Sequence, residues 1–466
     1  MEEIKPNRVL GILLLGTFLA YLNQTLMNVA LPSVMLDFNI LADKGQWLSN
    51  GYLLVNGIMV PATAFLIDRF KTRSLYLSIM VIFTVGTIVC ALAPNFITLV
   101  VGRMIQAVGA GVAGPLLTVT VIRLFDIELR GRTMGYIGLA MNFAPAVGPT
   151  LSGWIVQTYN WRYLFYLILP LLLLTLILAY RNLPDIGEIE DKQIHIPSIV
   201  LSTLGLGALL LGFSNAAVHE WLSFEVIGYI GIGLIIITIF VFEQFRIKEP
   251  VLNMSVFKSR KFTFATIANF FMIMGLYGGM LLLPLYLQSI RKISPLTSGI
   301  ILFPGAIVMA VLSPVVGRLY DKYGYKLLCT IGISLLTMGT VPFAFVSLST
   351  PIIAIISFQA IRGVGLTMVL MPIQTEAMNA LPTDLVSHGN AMYNTFRQIA
   401  GSIGTALLIT IMTKSSMDFL EKNSGQATVI ADIHGTKTAY IIITILTFMT
   451  LVLILNMEAK KTTSRN

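Results

Sequence analysis

Fourteen apolar runs, each long enough to carry a helix through a bilayer, take up most of this chain of 466 residues. A spanning helix needs roughly 20 apolar residues. The runs lie at about 9–32, 47–67, 75–93, 97–122, 134–157, 163–181, 197–216, 226–245, 263–289, 297–317, 327–347, 352–374, 387–412 and 438–457. Only 11% of the residues are charged and 56% are hydrophobic, against about a quarter charged in a soluble domain. So few charges cannot cover an aqueous surface, which excludes a soluble globular protein. The first run is too long for a signal-peptide core and is read as an uncleaved anchor. Cys90 and Cys329 both fall inside apolar runs and read as small buried hydrophobes.

The formal net charge is +9, and its distribution matters more than its size. With the N-terminus placed in the cytoplasm, 21 of the 31 lysines and arginines fall on the inner side, 7 on the outer side and 3 within spans. That bias predicts both termini in the cytoplasm and an even number of spans, with twelve as the competing count. No basic block is interleaved with aromatics, so nucleic acid is not an expected partner. Residues 182–196 form an acidic linker and 246–261 a basic one. The outer stretch 413–437, with its Gly and Ser signals, is expected to be a loop carrying a short amphipathic piece.

The chain repeats itself. Asp68-Arg69 with Arg73 at the end of the second run matches Asp321-Lys322 with Lys326 at the end of the tenth, 253 residues on. Gln106-Ala107-Val108-Gly109 matches Arg362-Gly363-Val364-Gly365, 256 residues on. The expected fold is an all-α integral membrane protein of two six-helix bundles, 1–181 and 262–466, with two inserted helices in the linker 182–261. Paired halves with a site at their interface are the architecture of many secondary transporters.

These segments resemble the major facilitator superfamily, and more narrowly its fourteen-spanner drug:proton antiporter branch of the EmrB/QacA type. Asp68, Arg69, Arg73 and Gly317, Asp321, Gly324, Lys326 resemble the family's loop signature. Leu99 to Gly111, around Arg103 and Gln106, is similar to its fourth-helix arginine motif. Gly135, Gly148-Pro149 and Gly153 are similar to the fifth-helix motif of exporters. Trp161-Arg162 with Pro170, and Glu249-Pro250 with Phe257, look like features of the branch. Ala64, Lys71, Ala107 and Ala144 stand where these motifs carry glycine. Many members of the branch carry an aspartate where this chain has Asn23, and asparagine cannot ionise. The resemblance implies export of amphipathic, cationic or neutral drugs across the inner cell membrane by alternating access and proton antiport. The alternative is an exporter or facilitator of an endogenous lipid or metabolite without proton coupling.

Each candidate residue has a functional and a bland reading. A mid-span guanidinium costs about 2.5–3.5 kcal/mol or more, so Arg103 either organises a polar cavity or anchors to backbone carbonyls. Arg397 poses the same choice, and Arg362, flanked by glycine, serves equally well as packing glue. Asp68, Arg69, Arg73, Asp321 and Lys326 either latch the inner face by ion pairs or simply set topology. Gly135, Gly148, Pro149 and Gly153 make a hinge or a packing face. Asn23, Gln24, Asn28, Gln106, Asn142, Asn269 and Tyr393 line a cavity or bond across helices. With no acid deep in a span, the candidate proton carriers are Asp37, Asp68, Glu376 and His388. The Gly-Lys pair of a nucleotide loop does not occur, nor does a metal or nucleophile motif, so neither an enzyme nor a cofactor is expected. The expected partners are a small amphipathic molecule, protons and lipid, and the expected state is a monomer, because two halves already make a complete cavity.

Overall fold

A computed structural model describes residues 5–40, 42–45, 47–186, 195–216, 220–423 and 427–457. These contain fourteen long helices and no strand. They are α1 (Pro6–Asp37), α2 (Trp47–Arg69), α3 (Thr72–Ala91), α4 (Phe96–Leu124), α5 (Ile127–Thr158), α6 (Tyr163–Asn182) and α7 (Ile196–Asn215). Then come α8 (Phe224–Arg246), α9 (Arg260–Leu285), α10 (Pro295–Tyr323), α11 (Tyr325–Thr340), α12 (Ile352–Asn379), α13 (Val386–Lys422) and α14 (Thr428–Leu455). Each apolar run of the sequence falls in its own helix. Among the described residues thirteen segments are long and apolar enough to cross a membrane, so the chain is a multi-pass membrane protein. The remaining helix, α5, has 32 residues, a length of about 48 Å.

Side-chain caps start several helices where the sequence offers them. Asn95 accepts from the Thr98 amide at 2.9 Å, and Ser294 from the Thr297 amide at 3.2 Å. Gly324, at φ 74°, makes the sharp break between α10 and α11, a backbone conformation that favours glycine. The stretch 413–437 departs from the expected loop. Helix α13 continues to Lys422 and α14 begins at Thr428. The two ends grip each other: Ser416 donates to the Ala431 carbonyl at 3.0 Å, and Gly435 lies against the Met412 backbone. Lys414, Glu421 and Lys422 stay exposed, so polar letters here mark the wet face of a helix.

The sequence repeat is also a repeat of packing. Helix pairs α1–α5, α1–α6, α2–α4, α3–α4 and α3–α6 recur as α9–α13, α9–α14, α10–α12, α11–α12 and α11–α14. The crossing of α3 on α4 recurs almost atom for atom. A Cβ on Gly86 would sit 2.6 Å from the Gln106 amide and 2.8 Å from the Gly102 carbonyl. A Cβ on Gly339 would sit 2.8 Å from both the Arg362 amide and the Phe358 carbonyl. Gly109 meets Ile79 and Phe83, and Gly365 meets Gly332 and Leu336, at the same two offsets. Small residues bring these backbones together because helix association in lipid relies on close van der Waals packing.

The halves join unequally. Along α5–α10, Gly131 and Gly317 touch backbone to backbone, and a Cβ on Gly135 would lie 2.6 Å from the Ser313 carbonyl. The matching joint is α2–α13, where the repeat offsets replace Gly317 by Ala64 and Gly131, Gly135 by Ser387, Ala391. Those side chains hold the second pair farther apart. The inserted helix α7 packs on both α2 and α13. A Cβ on Gly57 of α2 would meet Leu210 of α7 at 2.8 Å and Gln398 of α13 at 3.0 Å, and Trp221 donates to Thr410 of α13 at 2.7 Å. The inserted α7–α8 hairpin thus covers the looser joint, while α8 turns most of its surface outward. Gly317→Ala should therefore lower the Tm in detergent, with an overpacking cost of roughly 1–3 kcal/mol, whereas Ala64→Gly should shift it far less.

Candidate functional site

A small cavity of about 70 Å³ lies between the halves. Its walls come from α1 (Tyr21, Gln24), α2 (Tyr52, Asn56), α4 (Gly111, Gly114), α9 (Tyr277) and α13 (Asn394, Arg397, Gln398). Glycine at 111 and 114 and proline at 115 thin the α4 wall, so the polar side chains of α1, α2 and α13 converge there. The volume is far below the roughly 300–1,000 Å³ of a drug-sized pocket. Arg397 is the one charged residue among the described cavity-lining groups, and it lies beside Tyr277 and Tyr21.

Behind this cavity Arg103 is 1% exposed. Its Nη1 donates to Asn23 Oδ1 and to Gln106 Oε1 at 2.9 Å. Gln106 in turn donates to Thr87 at 2.8 Å, and the guanidinium stacks 4.3 Å from the Tyr52 ring centroid. Charge-assisted hydrogen bonds worth about 1.5–3 kcal/mol each and a desolvated cation–π contact of about 2 kcal/mol offset the cost of burying the charge. All of these partners are neutral. The repeat turns this arrangement around. Gln359 stands at the position of Arg103, and Arg362 at that of Gln106. Arg362 donates to Gln359 at 3.0 Å and faces the rings of Phe343 at 5.5 Å and Tyr440 at 5.8 Å. Each half buries one arginine on the same helix, one turn apart.

At the face where α2 and α10 end, two aspartates reach across to the other half. Asp68, 2% exposed, pairs with Arg123 of α4 at 2.9 Å and with His388 of α13 at 3.6 Å. Arg123 also donates to Ser387 at 3.0 Å. Asp321 accepts from the amides of Gly131 at 2.8 Å and Arg132 at 2.7 Å, near the positively polarised start of α5. The start of α13 is the repeat of the start of α5, so the two contacts are one device used twice. A third link runs from Lys261 to Glu376 at 3.6 Å, from Glu376 to the Tyr320 hydroxyl at 3.0 Å, and through Asn379 to Arg130 at 2.8 Å. His388 accepts the Asn253 amide on Nδ1 at 3.3 Å, which leaves Nε2 as the protonated nitrogen toward Asp68.

The remaining candidates are scattered. Arg69 ends α2 next to Asp68. Arg73 stays within its half, its side chain donating to the Tyr180 carbonyl and its backbone amide to the Asp185 carboxylate at 3.3 Å. Lys326 is exposed at the start of α11. Asn269 and Tyr393 are buried, and neither Asn269 Nδ2 nor the Tyr393 hydroxyl has a hydrogen-bond partner among the described residues. Gly148 sits against Thr25, and nothing lies within 4 Å of a Cβ on Gly153. Helix α5 runs unbroken through Gly148 and Pro149. The side chains of Asn28, Asn142 and Pro149 lie outside the described residues. Arg123 and Arg130 read in the sequence as topology charges, and only their reach across the interface reveals more. Tyr21, Asn56 and Gln398 carry no local signal that separates them from any other polar residue in a span.

At the opposite face the exposed Asp37 accepts from Trp161 at 3.1 Å and Arg162 at 2.8 Å. The Arg162 hydrogen bond, helped by Trp161, holds the Asp37 carboxyl below the usual carboxylate range. A depressed folded-state pKa means the contact is fully present at neutral pH and is lost only as pH falls through that lowered value. Asp37 therefore stays ionised around neutrality. Asp37→Asn should leave the shape of any transport pH profile unchanged between about pH 6 and 8, as measured in proteoliposomes.

The Major Facilitator Superfamily profile matches residues 13–405. YcnB, an uncharacterised MFS-type transporter of Bacillus subtilis (strain 168), is 42% identical over 443 residues, 94% of this chain and 93% of that relative. The lincomycin resistance protein LmrB of the same strain is 36% identical over 433 residues, 92% of this chain and 90% of LmrB. A multidrug resistance protein B homolog of Mycobacterium tuberculosis (H37Rv) is 30% identical over 410 residues, 87% of this chain and 76% of the homolog. Among solved structures, the human organic anion transporter MFSD10 superposes with a TM-score of 0.70 at 14% identity, over 97% of this chain and 100% of that one. The proton:xylose symporter XylE superposes at 0.65 and 14% identity, over 97% and 95%. These two show the fold alone. The chain belongs to the major facilitator superfamily, and it is a transporter rather than an enzyme.

Proposed function

We propose that this transporter exports amphipathic drugs from the cell by proton antiport and alternating access, as a fourteen-span member of the EmrB/QacA branch. Both termini then face the cytoplasm of the inner membrane, and helix α5 is the fourteenth span. The observation that carries the reading is the doubled aspartate latch. Asp68 and Asp321 tie the two halves together at one face of a cavity that is too small for its guest until they part. Relatives named for lincomycin and multidrug resistance support drugs as the cargo.

In this reading the latch is also where the proton acts. No carboxylate lies at Asn23, so the Asp68–His388 pair supplies the titrating groups. Neutral His388 accepts the Asn253 amide on Nδ1. A proton arriving on Nδ1 removes that acceptor and strengthens the attraction to Asp68, whereas a proton on Asp68 weakens its hold on Arg123 and His388. Either event changes the balance between latched and open states. The same missing acid favours one other reading, an uncoupled exporter of an endogenous lipid or metabolite.

The deciding experiment follows proton release from energised everted vesicles with a quenched acridine dye while lipophilic drugs are added. Drug-dependent dequenching is expected, with loss in Arg103→Ala and in His388→Gln. Drug movement without dequenching would establish the uncoupled reading instead. The latch has its own check, in a chain with Cys90 and Cys329 replaced by alanine. Asn390→Cys probes a residue that is buried against the Pro115 carbonyl of the other half, at 3.2 Å. Breaking a buried pair costs about 3–5 kcal/mol, so adding Asp68→Asn should raise labelling by an impermeant maleimide by tenfold or more. Unchanged labelling would remove the latch role.

A further inference from the structure

Away from the buried Asp68 at the latch, the charge sheltered between the helices of this transporter has one sign. Arg103 and Arg362 are enclosed, and Arg397 opens onto the cavity. Among the described residues none of the three has a carboxylate within ion-pair distance. Their partners are Asn23, Gln106, Gln359 and aromatic rings. Four acids that tie helices together sit elsewhere: Asp68, Asp321 and Glu376 at the latch, Asp37 at the opposite face. A low-dielectric interior with uncompensated positive charge attracts an anion and repels a cation.

The cavity is furnished to match. Arg397 supplies several N–H donors in a planar fork suited to a carboxylate. Gln24 and Asn56 add amide N–H donors to the wall, while Asn394 donates to Asn390 and Gln398 makes a long bond to the Leu53 carbonyl. The Tyr52 hydroxyl, on a side chain 1% exposed, has no hydrogen-bond partner among the described residues and forms part of the cavity wall. A lone donor in so dry a place awaits an acceptor. Apolar atoms of Ala20, Leu53 and Val60 complete the wall, which suits the hydrocarbon or ring portion of the same guest.

We propose that the cavity takes an amphipathic organic anion, with Arg397 as its docking cation, and discriminates against lipophilic cations. The proposal rests on the exporter reading only for the direction of transport; the charge preference is a property of the binding site. The anion neutralises Arg397, which lets the walls close on it without sealing a bare charge between them.

The test uses three probes with one ring system: 1-pyrenebutyrate, 1-pyrenebutanol and 4-(1-pyrenyl)butyl-trimethylammonium. Their binding to the purified full chain in nanodiscs is read by pyrene fluorescence. The butyrate is expected to bind about tenfold or more tighter than the ammonium, in line with a charge-assisted hydrogen bond. Arg397→Gln should erase the preference, and Arg397→Lys should keep most of it, which separates loss of charge from loss of fold. Equal or tighter binding of the ammonium, a preference that survives Arg397→Gln, or no binding by any probe would each overturn the proposal. Counterflow in proteoliposomes separates it from the exporter reading. Butyrate preference without transport would leave the site assignment standing and sink the exporter, while transport that favours the ammonium would do the reverse.

Discussion

Where α5 meets α10, two glycines lie backbone to backbone, and much of the rest of the molecule is arranged around that contact. It gives the halves one close joint. The matching joint between α2 and α13 lacks those glycines, and its helices stand off. Polar side chains of both helices then find room to face inward, and the cavity forms beside them. The extra hairpin α7–α8 has a place in this arrangement as well, because α7 packs over the looser joint. A single difference, glycine against alanine or serine at repeated positions, thus places both the cavity and its cover.

Charge sets the second level of organisation. Burying a guanidinium is costly unless hydrogen bonds and aromatic faces offset it, and amides and rings do so in part for Arg103 and Arg362, whose Nε atoms have no hydrogen-bond partner among the described residues. Asn23 accepts a hydrogen bond from Arg103 but, being unable to ionise, supplies no counter-charge. Asp68 and Asp321 lie apart from these arginines, where they hold helix starts of the opposite half. The cavity offers positive charge and donors, and the aspartates that bridge the halves lie apart from it at one face.

The fold was legible because its causes are local and repeated. An apolar run of about twenty residues specifies a helix wherever it occurs, and the offset between Asp68 and Asp321 announces a duplicated unit before any contact is known. Gln106 and Arg362 already marked the same place in both halves. The segment 413–437 reads as a loop in the sequence because the polar ends of two long helices change composition without changing backbone. The polar residues of the spans could not be sorted, since Asn56 at the cavity and Asn269 in the core look alike in a string of letters.

Sequence by itself determined that the chain is all-helical and membrane-spanning, that it is built of two related halves, and that its arginines at 103, 362 and 397 must be sheltered. Each of these follows from composition and period, which a bilayer reads directly. The tertiary structure alone decided that Arg123 and His388 belong to Asp68, that Arg397 faces the cavity, and that α7 guards the α2–α13 joint. These partnerships join residues as much as 345 positions apart, such as Gln398 and Leu53. No local rule links such positions, and only the packing of helices against one another brings their side chains together.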